Sequence, residues 1–141
     1  MTYEISVLRR ESSRDKGCWQ SFSYTQKSDN DTVATALFSL NESGDLSRKI
    51  EWECSCLQKK CGACAMVIGG RPCLACDARL SEFQKRVVQI EPLRKFPVIC
   101  DLIVDRSILY ENLKTLRLWL TGQSELTDRY QELAYESSAC L

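Results

Sequence analysis

The spacing of four cysteines in the middle of the chain constrains its fold more than any other feature of the sequence. Cys56, Cys61 and Cys64 form the pattern C-x₄-C-x₂-C, and Cys76 follows after eleven intervening residues. This is the ligand spacing of plant-type [2Fe–2S] clusters. Each of the two irons in such a cluster takes two cysteine thiolates. The sequence therefore predicts one [2Fe–2S] cluster held by these four residues.

The residues between the third and fourth cysteines explain how a loop and a separate strand can meet at one cluster. A short apolar run at residues 65–68 leads to Gly69-Gly70, and residues 71–75 are expected to return as the partner strand. A glycine pair permits a tight reversal because glycine adopts positive φ without steric cost. Cys76 should then arrive beside the loop that carries the other three cysteines.

Two other kinds of site stay open from the spacing alone. Two C-x₂-C pairs, at residues 61–64 and 73–76, could bind zinc, although zinc ribbons space their pairs more widely. A dithiol redox site of the C-x-x-C kind needs a helix at the motif, and none is predicted there. Under the cluster prediction, five cysteines are left as spare thiols or packing residues: Cys18, Cys54, Cys73, Cys100 and Cys140.

Composition narrows the chemistry further. The 141 residues include no histidine, which excludes Ser-His-Asp and Cys-His catalysis and a Rieske centre. Lysine and arginine balance aspartate and glutamate at 19 each, so the chain lacks the basic excess of nucleic-acid-binding proteins. No signal peptide is evident, and no stretch approaches the ~18 apolar residues of a transmembrane helix. We expect a cytoplasmic protein without direct membrane insertion, in which clustered cysteines bind metal rather than form disulfides.

Hydrophobic periodicity predicts an α+β fold. Alternating apolar residues predict strands at residues 2–8, 18–25 and 87–90, with a short one at Ile50 and Trp52. Helical spacing from Val33 to Leu40 predicts a helix with its N-cap among residues 28–31. This order matches a ubiquitin-like β-grasp sheet crossed by one helix. Leucines at helical spacing predict a second helix from Asp105 to about residue 121, and a short helix is predicted near 128–135. We therefore place a β-grasp ferredoxin-like domain at residues 1–104 and a helical C-terminal extension at residues 105–141.

Two motifs resemble the iron–sulfur subunit of succinate dehydrogenase and fumarate reductase. The segment from Ile50 to Cys76 includes ECSC, CGACAM and LAC, which is similar to the family's S-C-R-x-G-x-C-G-[SA]-C-A-M followed by L-A-C. Residues 90–105, IEPLRKFPVICDLIVD, are similar to the family's I-E-P-L…P-V-I-[KR]-D-L-[VI]-V-D. The resemblance covers roughly residues 2–120. Two positions of the first motif depart from it, because Leu57 replaces arginine and Lys59 replaces glycine, and we expect the cluster loop to be reshaped there.

The resemblance implies an electron-transfer subunit that does not transform a substrate itself. In the family, the [2Fe–2S] domain docks on a flavoprotein that holds FAD and the dicarboxylate site. We therefore expect an FAD-containing flavoprotein partner near residues 59–63, a further redox protein on the far side, and a peripheral position at the inner face of the membrane through these partners. The family's second domain, with [4Fe–4S] and [3Fe–4S] clusters, has no counterpart pattern in this sequence, so the chain should not complete a quinone-linked relay alone.

Two other functions remain as alternatives. A free-standing ferredoxin would serve several enzymes, but diffusible plant-type ferredoxins are usually strongly acidic, which aids docking to basic partners. The balanced charge of this chain disfavours that function. A structural zinc module is the other alternative. The sequence also leaves open whether Lys59, Lys60 and Arg71 offset the negative charge of a cluster or are solvated loop charges.

Overall fold

Residues 1–117 are described by the structure, a computed structural model, and they contain two β-sheets and two α-helices. Met1–Arg106 form one compact unit, and a second unit begins at Ser107. The predicted domain boundary after residue 104 stays a prediction. The elements in chain order are β1 (Thr2–Arg9), β2 (Cys18–Thr25), α1 (Val33–Glu42), β3 (Ala65–Ile68), β4 (Arg71–Leu74), a 3₁₀ turn (Leu80–Glu82), β5 (Val87–Glu91), β6 (Val98–Cys100), β7 (Ile103–Val104) and α2 (Ser107–Thr115).

The larger sheet has five strands in the order β2-β1-β5-β3-β4. Strand β5 lies at its centre, parallel to β1 and antiparallel to β3. Ile5 of β1 stands beside Val88 of β5, and Val7 beside Ile90. All four side chains are fully buried, as expected for the central strands of a sheet that is covered by a helix. The predicted β-grasp architecture is confirmed.

Helix α1 covers the sheet with an apolar face. Thr32 is its N-cap, and the hydroxyl groups of Thr32 and Thr35 each accept the other residue's N–H, which forms a capping box. The prediction that the N-cap lies among residues 28–31 is therefore wrong by one residue. The buried residues of the helix are Val33, Ala34, Ala36, Leu37 and Leu40.

The strand predicted at Ile50 and Trp52 does not form. Ile50 is buried, but its backbone N–H and carbonyl both bond the side-chain amide of Asn41, at 2.8 and 2.9 Å. Its hydrogen-bonding groups are thereby satisfied without a neighbouring strand. Trp52 packs edge-to-face on Phe38 with ring centroids 4.9 Å apart. The alternating apolar pattern at Ile50 and Trp52 therefore arises from two side chains that pack on the rest of the domain from an irregular segment.

Two strands that hydrophobic periodicity did not predict follow β5. Strands β6 and β7 form a short antiparallel hairpin after it. Helix α2 begins at Ser107 rather than Asp105. It ends at Thr115, so the prediction that it continues to about residue 121 is wrong. The helix predicted near 128–135 and Cys140 lie outside the described residues. Within residues 1–117, no helix has the length and apolar character needed to cross a membrane.

Candidate metal centre

The open end of the β3–β4 hairpin brings Cys64 and Cys76 together. Cys64 directly precedes β3, Cys76 lies two residues after β4, and Ala65 pairs with Leu74 at this end. The Ala75 N–H donates to the Cys64 carbonyl at 3.0 Å, which extends the pairing beyond the strands. Burial raises the pKa of Cys64, and the neighbouring Cys76 thiol raises it further, because a low-polarity environment disfavours the thiolate.

The first turn of α1 fixes the segment around Cys76. The N–H groups at the start of a helix have no acceptor within it. Here the N–H groups of Val33 and Ala34 donate to the carbonyls of Ala78 and Ala75, at 2.9 and 3.0 Å. These two carbonyls flank Cys76 in the sequence. The helix therefore supplies the hydrogen bonds that hold the fourth predicted ligand in place.

Cys56 and Cys61 form a second pair on the irregular segment before β3. The Cys56 sulfur accepts the N–H groups of Gln58 and Cys61, both at 3.3 Å. Backbone N–H donors, chiefly these two with that of Lys60, lower the pKa of Cys56 to about 6, because they stabilise the thiolate. Ala63 N–H donates to Cys61 Sγ at 3.4 Å.

The cysteine loop keeps a glycine-like backbone at a position where the sequence has lysine. Lys59 has φ of +63°, and Leu57 and Gly62 have φ of +52° and +77°. The glycine of the family motif aligns with Lys59, and the replacement was expected to reshape the loop. The structure instead retains the left-handed conformation that glycine favours, which strains a residue with a Cβ. The side chain of Lys59 forms an ion pair with Asp77, the residue after Cys76.

The segment that leads into the cysteine loop is fixed by Asp101, which is completely buried between β6 and β7. Its carboxylate lies 3.1 Å from Arg9 Nε, accepts Arg48 Nη2 at 2.7 Å, and accepts the N–H groups of Arg10 and Glu51 at 2.8 and 3.0 Å. Burial alone would raise its pKa, but the hydrogen bonds from Glu51 N–H and the two guanidinium groups outweigh burial and lower it. Asp101 therefore joins the end of β1, the start of the cysteine-bearing segment and the β6–β7 hairpin.

Arg106 contacts the cysteine loop directly. Its guanidinium donates to the carbonyls of Gly62 and Ala63, which lie between the second and third predicted ligands, at 3.3 and 2.8 Å. Sequence reasoning assigned no role to Arg106 or Asp101. Asp101 carried a signal, since it lies within the second motif of the resemblance. Arg106 carried none, because only the folded chain brings residue 106 to residue 62.

Of the other cations and cysteines near the site, some lie beside the predicted ligands and others lie away from them. Lys59 is paired with Asp77, whereas Arg71 lies at the turn end of the β3–β4 hairpin, the end opposite Cys64. Cys73 lies within β4, where its thiol donates to the Arg71 carbonyl at 3.5 Å and burial raises its pKa. Cys73 thus bonds none of the cysteines with which it would share a zinc ion. The thiols described by the structure, within residues 1–117, form no disulfide.

The donor set of these residues fits a [2Fe–2S] cluster. The thiols lie in two pairs, and backbone N–H groups point at the sulfur atoms of Cys56 and Cys61. Each iron of the cluster takes two thiolates, and N–H donors stabilise the negative charge on the sulfurs. In the part of the chain that is described, no three His, Cys, Asp or Glu side chains are grouped around a position for one single metal ion.

Comparisons with known proteins agree with this chemistry. Residues 4–111 match the family described as 2Fe-2S iron-sulfur cluster binding domain. The chain is 33% identical over 110 residues to the succinate dehydrogenase iron-sulfur subunit of Bacillus subtilis, which covers 72% of this chain and 43% of that protein. It is 38% identical over 80 residues to the fumarate reductase iron-sulfur subunit of Mycobacterium tuberculosis, which covers 57% of this chain and 32% of that protein.

A solved structure shows the same fold. The chain superposes on a chain of the Mycobacterium smegmatis Sdh1 complex in the apo form with a TM-score of 0.72 and 30% identity, covering 80% of this chain and 46% of the other. The chain thus spans less than half the length of the relatives named here. Its cofactor is a [2Fe–2S] cluster, and it belongs to the family of 2Fe-2S iron-sulfur cluster binding domains, with the succinate dehydrogenase and fumarate reductase iron–sulfur subunits as its relatives.

Proposed function

We propose that Cys56, Cys61, Cys64 and Cys76 hold the [2Fe–2S] cluster, one thiol pair on each iron. Two hydrogen bonds carry this assignment: the Cys61 N–H donates to the Cys56 sulfur at 3.3 Å, and the N–H of Ala75, beside Cys76, donates to the Cys64 carbonyl at 3.0 Å. The cluster supplies a centre that accepts and returns one electron when bound. The chain's own residues contribute the four sulfurs and the backbone N–H groups directed at them.

The proposed role of the chain is that of an electron-transfer subunit. It passes single electrons to or from the FAD of a flavoprotein like those of succinate dehydrogenase and fumarate reductase, and it transforms no substrate itself. Two observations support this role. The relatives are iron–sulfur subunits of such enzymes, and the loop around Cys61 lies at the surface, with Cys61 exposed and Leu57 41% exposed. A redox partner can therefore approach the cluster closely.

Matched cysteine variants test the ligand assignment. The chain, purified without oxygen, should be red-brown and bleach with dithionite, with two irons and no zinc. Cys61→Ser should abolish or strongly perturb the visible spectrum and the electron paramagnetic resonance (EPR) signal of the reduced cluster. Cys73→Ser, the matched control on β4, should leave both largely intact. A colourless protein with one zinc per chain, or a Cys73→Ser protein that loses its cluster, would contradict the assignment.

Association with a flavoprotein tests the proposed role. Co-expression with a succinate dehydrogenase or fumarate reductase flavoprotein from the same organism should give a complex on size exclusion, and anaerobic mixing should transfer one electron between reduced flavin and the cluster. A peripheral position at a membrane would then come through this partner. A chain that stays a monomer, and whose cluster exchanges electrons equally well with unrelated reductases, would favour the free-standing ferredoxin instead.

A further inference from the structure

Arg106 reaches from the end of the first unit back to the cysteine loop. It lies two residues after the end of β7. Its Nη1 donates to the Gly62 carbonyl at 3.3 Å, and its Nη2 donates to the Ala63 carbonyl at 2.8 Å. The carboxylate of Glu53 lies 3.4 Å from Nη2. The side chain of Arg106 is about three-quarters buried, with 26% of its surface exposed, so solvent screens these interactions only in part.

One of the two carbonyls bonded by Arg106 belongs to a peptide group whose N–H donates to a cysteine sulfur. The peptide group that contains the Gly62 carbonyl also contains the Ala63 N–H, and that N–H donates to Cys61 Sγ at 3.4 Å. In a trans peptide the C=O and N–H point in opposite directions. Arg106 therefore holds one end of the peptide whose other end donates to a predicted ligand. The Ala63 carbonyl similarly shares its peptide group with the N–H of Cys64.

A cationic donor on the carbonyl has two effects on such a peptide group. It fixes the orientation of the group, which matters here because Gly62, at φ of +77°, is free to rotate more widely than other residues. It also polarises the group, since hydrogen bonds in a chain strengthen one another. Both effects favour negative charge on the Cys61 sulfur. Reduction adds one electron to the cluster and breaks no bond, so the reduced state gains more from these donors than the oxidised state.

We infer that Arg106 is a positioning residue that raises the reduction potential of the cluster by orienting and polarising the peptide groups between Cys61 and Cys64. This inference rests on the proposed assignment of those cysteines as ligands. Arg106 acts through the backbone, because its guanidinium bonds the Gly62 and Ala63 carbonyls and not a cysteine side chain. The charge of its guanidinium adds to the effect, but the fork that bridges two carbonyls is what distinguishes it from any other nearby cation.

Three variants measured by EPR-monitored redox titration, with dithionite as the electron donor, test this inference. Arg106→Gln removes the charge and the fork. We expect it to lower the equilibrium constant for reduction about tenfold, which is ~59 mV for a one-electron couple. Arg106→Lys keeps the charge but not the bridge, and should lower the constant by a smaller, measurable factor. Arg94→Gln is the matched control, since Arg94 also pairs with a glutamate, Glu91 at 2.9 Å, and should not shift the potential.

Several outcomes would overturn the inference. If Arg106→Gln has the wild-type potential, Arg106 has no effect on the potential of the cluster. If Arg106→Lys has the wild-type potential, the positive charge alone explains the effect and the bridge between two carbonyls does not contribute. Pulsed EPR provides a second measurement, the weak hyperfine coupling between the reduced cluster and nearby peptide nitrogens. This coupling should fall in both Arg106 variants, whereas a merely structural role of Arg106 would leave it unchanged. Unchanged coupling would contradict the proposed route through the backbone.

Two further variants keep the inference testable if the Arg106 variants do not take up a cluster. Glu53→Gln frees Arg106 from its ion pair and should raise the equilibrium constant for reduction severalfold, whereas Glu91→Gln, which frees Arg94 in the same way, should not. Equal effects of the two glutamate variants would overturn the inference. Failure of the ligand assignment is distinguishable, because it would show as a wild-type chain without a cluster or as an intact cluster in Cys61→Ser.

Discussion

A single carboxylate, that of Asp101, joins three parts of the molecule that are distant in the sequence. We expect Asp101→Asn to lower the free energy of unfolding by about 3–5 kcal/mol, because it leaves the buried guanidinium of Arg9 without its counter-charge. Urea unfolding of the cluster-loaded protein, followed by circular dichroism, measures the change. Asp29→Asn is the control, since Asp29 is an exposed aspartate. A loss no larger than that of the control would show that Asp101 is not the link that we describe.

The ionisation of Tyr24 should report on the fold. Burial, together with its hydrogen bond to the Asp31 carboxylate at 2.8 Å, raises its pKa to about 12. The raised pKa stabilises the folded state below the pKa of an unfolded tyrosine, which is about 10, and this contribution is lost as the pH rises through the folded value. Nuclear magnetic resonance of ¹³C-labelled tyrosine, assigned with Tyr24→Phe, should show this late titration. Asp31→Asn should lower the pKa of Tyr24, because it removes the negative charge beside the phenol. Titration of Tyr24 near pH 10 in the wild type would contradict the prediction.

Among the structural elements, the cysteine loop holds a strained residue at Lys59. Two variants separate its backbone strain from its ion pair with Asp77. Lys59→Ala and Lys59→Gly both remove the ion pair, but only glycine relieves the positive φ of +63°. We expect the glycine variant to be more stable than the alanine variant by about 1 kcal/mol, as measured by thermal unfolding under anaerobic conditions. An alanine variant of equal or greater stability would show that the loop relaxes instead.

At the scale of the whole molecule, the sheet and the cysteine loop should respond separately to loss of the cluster. The core under α1 is built from apolar side chains such as Ile5, Leu37 and Val88, which are fully buried, whereas most of residues 53–61 are exposed. Removal of iron by a chelator should therefore increase hydrogen exchange at residues 53–63 and leave β1 and β5 protected. Loss of protection throughout the sheet would show that the cluster is required for the fold itself.

The sequence predicted those features of the fold that depend on residues close together in the chain, and it failed for those that depend on distant contacts. The strands β1 and β2, the helix α1 and the glycine turn at residues 69–70 follow from periodicity and turn chemistry, and the structure contains them. The misassigned strand at Ile50 failed because Asn41, nine residues earlier, satisfies its backbone. The β6–β7 hairpin was missed because its strands are only three and two residues long. The four predicted ligands came from spacing, whereas the contact of Arg106 with the loop depends on the completed fold.

The parallel pairing of β1 with β5 has a consequence for biosynthesis. Glu4 at the start of the chain pairs with Val87, and all four predicted ligands lie between these two residues. A ribosome therefore releases every ligand before it releases the strand that completes the centre of the sheet. Pairing over such a distance also carries a large loop-closure entropy and is slow to form. During this interval the four thiols are exposed on a domain that has not finished folding. The timing of iron delivery relative to translation should therefore determine how much of the protein acquires its cluster.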